Sequence, residues 1–417
     1  MDLRIDPDEL AACVSCGLCL PHCPTYRVTN DDTYSPRGRI SLMRAMQDGG
    51  APATPEIVES METCVQCLGC ETACPSGVKF GHLMEDTRAA LATEGRITPW
   101  WQRMGLRALG HHRLLLTGSS LLALLQRTRL VPSARFGLPA RLPVRRAPLV
   151  ASGDDVWLFT GCVMDAWQRD VHLAAQRVIE ATGAGVRPTG ELGPCCGALH
   201  QHAGLRDQAH RYAERVIHDL AGDAPILVDS AGCGAAMKHY GQLLDTDEAR
   251  AFSARVFDVH EWLATRIDRL VEAAGSPAGR ADAVASGGAV ASGGTGGVAS
   301  GVRRLDVTVA VQDPCHLRHV QRAHEPVRTV VAPFVRELVE LDDEGLCCGA
   351  GGAYSVLQPE LAGAIRERKL ASIERSGGAV VASANPGCSM HLAAAGLDVR
   401  HPLEIVDAAL GGAKRTR

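Results

Sequence analysis

The chain has 417 residues, 22% of them charged, and a net charge of -4. It is long enough for two or three separately cored domains and lacks the one-sided basic footprint of a nucleic-acid binder. Its longest apolar run, residues 114–125, is interrupted at 117–120 and falls short of the roughly 20 residues that span a bilayer.

Residues 1–98 carry one cysteine pattern twice. Cys13, Cys16, Cys19 and Cys23 are followed by Pro24, and Cys64, Cys67, Cys70 and Cys74 by Pro75. C-x2-C-x2-C-x3-C-P is the spacing of bacterial two-cluster ferredoxins, in which the fourth cysteine crosses to the other cluster. The expected ligands are therefore Cys13, Cys16, Cys19 and Cys74 for one 4Fe-4S cluster, and Cys64, Cys67, Cys70 and Cys23 for a second. Structural zinc is the competing reading of any Cys-x2-Cys pair, but it does not call for a third such spacing and a trailing Cys-Pro. Between the runs, Ser35-Pro36-Arg37-Gly38-Arg39 has the form of a helix start, and apolar residues recur at helical spacing over 40–46. This predicts a helical ferredoxin with an insertion.

Residues 1–10 are charged and lack the apolar core of a secretory leader. The 16 cysteines are then expected in a reducing, cytoplasmic setting, as metal ligands and not as disulfides. A scaffold folded by non-redox metals is the alternative of a different class.

Residues 99–150 hold Trp100-Trp101, two Leu-rich segments and a basic, Pro-containing stretch at 141–148. They are read as a helical connector, either packed on the domains or offering an amphipathic basic face to a partner or a membrane surface. From 151 to 272 the pattern turns α/β. A strand at 156–160 ends on Gly161-Cys162 and precedes a helix over 166–182; a second strand at 225–230 precedes Cys233 and a helix over 235–244. Residues 273–304 are mostly Ala, Gly, Ser and Val and are read as a flexible linker.

After the linker, over 305–417, the pattern begins again. A strand at 307–312 leads to Asp313-Pro314-Cys315, then come Cys347-Cys348-Gly349, and a strand at 379–383 leads to Pro386-Gly387-Cys388. These match Thr160-Gly161-Cys162, Cys195-Cys196-Gly197 and Ala231-Gly232-Cys233 of the preceding stretch. The fold class expected is thus a helical two-cluster ferredoxin domain followed by two tandem α/β cysteine-rich repeats. Each repeat carries four cysteines at strand ends and Gly-rich turns, where open α/β sheets hold ligands. Buried structural cysteine accounts poorly for two matched sets of four. Cys162, Cys195, Cys196, Cys233, Cys315, Cys347, Cys348 and Cys388 are therefore candidate ligands of a further cluster or a redox site, with the two sets expected to face each other about a local two-fold. His200, His202, His316 and His391 lie beside them in sequence. They are read either as partners of a cluster sulfide and proton shuttles, or as surface and capping residues. No P-loop and no paired Rossmann glycines are present, so no catalytic residue, flavin or nicotinamide site is assigned to this chain.

The paired ferredoxin runs followed by two Cys, Cys-Cys-Gly, Cys repeats resemble the iron-sulfur subunit of bacterial glycolate oxidase (glycolate dehydrogenase). Ser35-Pro36-Arg37-Gly38-Arg39, Pro194-Cys195-Cys196-Gly197 and 383–388 (Ser-Ala-Asn-Pro-Gly-Cys) fit that branch. The repeats are similar to those of heterodisulfide reductase, the lactate-utilisation iron-sulfur protein and the anaerobic glycerol-3-phosphate dehydrogenase small subunit. The resemblance implies an oxidoreductase subunit that relays electrons from an FAD-containing dehydrogenase partner, where hydride leaves glycolate, to a quinone-type acceptor. It implies a cytoplasmic protein, or one peripheral at the inner membrane; lactate and glycerol-3-phosphate are the alternative substrates of the complex. The heterodisulfide reductase repeats end in Cys-x2-Cys, whereas Ser230 and Asn385 stand at the earlier position here, which leaves four thiolates per repeat.

Overall fold

The computed structural model describes residues 3–128, 139, 141–190, 192, 195–275, 303–343 and 345–412. The N-terminal domain is helical throughout. Its principal helices, Pro36–Gln47, Pro55–Glu62 and Phe80–Thr93, pack around Leu10, Ile40, Met43, Met46, Met61, Leu83, Met84 and Leu91. The helix expected over 40–46 is longer, because Ser35 accepts from the Gly38 N–H and Pro36 occupies the first turn. Ile40, Met43 and Met46 then fall on one face and are buried.

Two helices follow, Trp100–Gly110 and His112–Arg127. Their inner residues, Leu109, Leu115 and Leu116, pack on Cys162, Ala166, Trp167, Cys195 and Tyr212. Gly110 is needed there, since any side chain would strike the Tyr212 hydroxyl.

Each cysteine-rich repeat is built on a four-stranded parallel sheet. In the first, β1 (Val156–Phe159), β2 (Val186–Pro188), β3 (Ile226–Val228) and β4 (Val256–Asp258) lie in the order β2-β1-β3-β4. In the second, β5 (Leu305–Val311), β6 (Val335–Glu340), β7 (Val380–Ala382) and β8 (Val399–Arg400) lie in the order β6-β5-β7-β8. The order is the same, so the repeat seen in the cysteine pattern is a repeat of topology. β1, β3 and β7 are shorter than the apolar runs suggested, whereas β5 starts two residues earlier than expected; β1 stops at Phe159 because the Thr160 N–H turns to Thr189 Oγ1. The helix expected over 166–182 is two, Val163–Trp167 and Arg169–Glu180, with non-helical Gln168 between them. The helix after β3 begins at Ala231, ahead of Cys233, and is followed by a separate turn at Tyr240–Leu244.

The repeats share one core, in which Leu158, Val178, Leu263 and Leu270 join Val309, Val330, Phe334 and Val406. Arg177 forms a bidentate pair with Asp407 across the junction, at 2.6 and 2.7 Å. Within the expected linker, residues 273–275 belong to the helix Ile267–Gly275, while 276–302 lie outside the described residues.

Candidate metal centres

The two ferredoxin loops share a backbone conformation as well as a spacing. Ser15 and Gly17 have φ of 57° and 85°, and Gln66 and Leu68 at the matching positions have 57° and 59°. Alternating right- and left-handed residues turn successive N–H groups toward one concavity, which suits an anionic group. One hollow is lined by Cys13, Cys16, Cys19 and Cys74, with Arg37 on its wall. A second is lined by Cys23, Cys64, Cys67 and Cys70. Each hollow thus has the four cysteines of one expected set on its wall, and Cys70 of the other set lines the first hollow as well. Four thiols to a hollow is the number that a 4Fe-4S cube takes.

Surroundings distinguish the two. The first loop faces outward, with Cys16, Val14 and Leu18 exposed. At the second, Cys23, Cys64, Cys67 and Cys70 are all buried, and burial, followed by the neighbouring thiols, pushes the Cys70 thiol well up. Arg39, 1% exposed, lines this cavity and gives every hydrogen bond to neutral oxygen: Ser60 O at 2.7 Å, Tyr34 O at 2.6 Å, and the Thr25 and Thr63 hydroxyls. Arg88, also buried, donates to the carbonyls of Met61, Glu62, Cys64 and His202. Two buried cations without a direct carboxylate partner are costly unless negative charge lies nearby. The buried side-chain amide of Gln66, also on this wall, has neither nitrogen nor oxygen bonded. A cluster held by these thiolates would supply the negative charge that the two arginines lack and an acceptor for the Gln66 amide N–H.

In the repeats, the cysteines collect at the C-terminal edge of each sheet and divide alike. Cys195 packs with Cys162, and Cys196 with Cys233; Cys347 packs with Cys315, and Cys348 with Cys388. Adjacent cysteines thus enter different packed groups in both halves, held by Gly197 and Gly349 at φ of 81° and 88°. Three residues before the last cysteine of each repeat, Asn385 Nδ2 donates to Cys388 Sγ at 3.5 Å and Ser230 lies beside the Cys233 thiol. The expectation that the two sets face each other holds in part. The loops after β3 and β7 meet, with Ala231 N donating to Ala384 O and Gly232 N to Asn385 Oδ1. Cys315 and Cys347 instead turn to the ferredoxin domain, where they pack with Cys67.

His316 Nδ1 lies 3.5 Å from Cys315 Sγ, and its ring stands 5.4 Å from that of His202. His200 and His391 are buried, so the reading of these as surface residues does not hold. Burial and nearby cations keep His200 and His202 neutral, down to about pH 4 and about pH 3. Sequence reasoning passed over Arg39, Arg88 and Gln66. The signal for Arg39 was an arginine inside an amphipathic helix at a core position, three residues before Leu42 and four before Met43.

A 4Fe-4S dicluster domain matches residues 9–78, and a cysteine-rich domain matches 156–238 and 309–393. The glycolate oxidase iron-sulfur subunit of Escherichia coli is 31% identical over 96% of this chain and 94% of its own. A probable glycolate oxidase iron-sulfur subunit of Bacillus subtilis is 28% identical over 93% and 89%. A polypeptide of the dihydromethanophenazine:CoB–CoM heterodisulfide reductase of Methanosarcina acetivorans is 26% identical over 96% and 92%. With its dicluster domain, two cysteine-rich repeats and near-complete alignment, the chain belongs to the family of glycolate oxidase iron-sulfur subunits.

Proposed function

We propose that this chain is the electron relay of a flavoprotein glycolate dehydrogenase, taking electrons from a partner's flavin and delivering them to a quinone-type acceptor. Cys13, Cys16, Cys19 and Cys74 hold one 4Fe-4S cluster, and Cys64, Cys67, Cys70 and Cys23 a second. Bound there, the clusters supply one-electron transfer. Oxidation of glycolate to glyoxylate releases two electrons and two protons, and the hydride acceptor is a flavin on the partner. The observation that carries the reading is the gathering of the eight ferredoxin cysteines around two cavities in crossed sets.

Within this chain the first loop, with Cys16 exposed between Val14 and Leu18, is the accessible end for the partner. Arg39 and Arg88 balance negative charge at the second loop, and the Cys67–Cys347 contact links that loop to the second repeat. Cys315, Cys347, Cys348 and Cys388 are the first choice for a further centre.

Anaerobically purified chain should carry about eight irons with matching sulfide in the ferredoxin domain, bleach on reduction, and fail to oxidise glycolate with an artificial dye. Iron that rises above that figure and falls back in Cys348→Ser places a further centre in the repeats. Bound zinc in place of iron, or dye-linked glycolate oxidation by the flavin-free chain, overturns the proposal.

A further inference from the structure

The helical pair Trp100–Gly110 and His112–Arg127 has a finished inner face and an unfinished outer one. Its inner side is packed on the first repeat through Leu109, Leu115 and Leu116, so the opposite side of both helices points away from the protein. That side carries Trp100, Trp101 and Met104 on one helix and Leu114, Leu121 and Leu124 on the other, all at least half exposed, with Trp100 at 76%. Large apolar side chains gathered in this way mark an interaction surface.

Charge narrows the choice of partner. From residue 95 to 153 the sequence contains ten arginines and no aspartate or glutamate, in a chain whose net charge is -4. Arg107, Arg113 and Arg127 lie on the exposed side of the helical pair. A protein partner of ordinary surface offers both signs of charge. An acid-free, arginine-rich pair of helices with exposed Trp and Leu instead matches the interface of a bilayer with anionic headgroups, where Trp settles among the headgroups, Leu enters the acyl boundary and arginine meets phosphate. No helix among the described residues is long and apolar enough to cross a membrane, so this contact lies in the interface plane.

We infer that the outer face of the 100–127 helical pair docks the protein on an anionic lipid surface. Docked in this way, Cys162 and Cys195 of the first repeat lie one layer of leucine side chains, Leu115 and Leu116, beneath the lipid-facing side. The inference adds a place of attachment to the electron-relay reading, and its test needs neither substrate nor electron flow.

The test is flotation of the cluster-loaded full chain with vesicles of phosphatidylcholine alone or with one third phosphatidylglycerol. Binding is expected to the anionic vesicles only and to weaken steeply as salt rises. Trp100→Ala with Trp101→Ala, and separately Leu121→Ser with Leu124→Ser, should each lower partition by about tenfold or more with iron content and circular dichroism unchanged. Arg107→Gln with Arg113→Gln should lower it by roughly an order of magnitude at low salt. Absence of binding to anionic vesicles, or binding that these substitutions leave unchanged, overturns the inference. Loss of flavoprotein association in the same variants, without vesicle binding by the parent chain, assigns the face to a protein partner and also overturns it.

Discussion

The two ferredoxin loops have the same spacing and the same left-handed positions, yet one lies at the surface and the other in the interior. The first is walled by Arg37, which is partly exposed and already paired with Asp32 at 3.0 Å. The second is lined by Arg39 and Gln66, has Arg88 bonded to the Cys64 carbonyl, and packs through Cys67 against Cys347 of the second repeat. A shared motif fixes which atoms can bind a cluster; the surrounding chain decides how solvent and charge reach it. Since reduction adds negative charge, burial would oppose it and the two guanidinium groups would favour it, so on the proposed reading a cluster at the second loop is tuned by its neighbours more than one at the first.

The sharpest way to separate the loops is to delete a ligand in each. Cys67→Ser should abolish the second cluster, open the seam with the second repeat and leave little soluble protein, because buried thiols would lose both metal and partner. Cys16→Ser, at an exposed site, should cost one cluster and leave the remaining fold intact. Equal loss of structure in both variants would break the comparison.

Arg39→Met tests the charge argument. It removes the charged partner of the Ser60 and Tyr34 carbonyls and of the Thr25 and Thr63 hydroxyls, which keep only their bonds to one another and to Glu59 O and Cys23, and should cost about 1–3 kcal/mol in chemical denaturation. In protein that retains iron, it should lower the potential of the second centre alone, by tens of millivolts up to about 100 mV. A shift of both centres, or of neither, would show that Arg39 serves packing only.

Acid should loosen the seam between the ferredoxin domain and the first repeat. His200 and His202, held to about pH 4 and about pH 3, are depressed below the unfolded value near 6.5. The unfolded chain therefore binds more protons between those limits, and folding stability falls as pH falls from about 6.5 toward about 4. Denaturation midpoints from pH 7 to 4.5 should follow that slope, and His202→Asn should flatten it. An unchanged slope in the variant would remove His202 from the account.

Gln66→Leu is expected to have the smallest effect, a fall of a few tens of millivolts at the second centre with stability nearly unchanged. It removes an amide that has no protein partner and is free to donate to a cluster sulfide. Potentiometric titration alongside the parent protein reads it, and an unmoved potential would assign Gln66 to packing.

Much of the architecture was legible because its signals are local. Fixed Cys spacing, Ser35-Pro36 at a helix start and the return of Cys-Cys-Gly each sit within a few residues, and the matched strand orders follow from the same repetition. What the sequence hid depends on distant packing. The Cys67–Cys347 contact, and Arg88 reaching both Cys64 O and His202 O, join segments that no spacing rule relates. Strand ends were overextended for the same reason: Thr160 is apolar-flanked in sequence, but its N–H is taken by Thr189. The exposed side of 100–127 could not be separated from a buried connector by periodicity, because only tertiary packing shows which stripe the first repeat covers.

The central claim, that electrons from glycolate reach these cysteine centres through a flavoprotein partner, is tested most directly by visible absorbance under anaerobic conditions. Glycolate added to the cluster-loaded chain together with its flavoprotein subunit should bleach the brown absorbance of the clusters, while the chain alone stays oxidised. If the loaded chain remains oxidised beside a flavoprotein that glycolate has reduced, or bleaches with glycolate in the flavoprotein's absence, the account is contradicted.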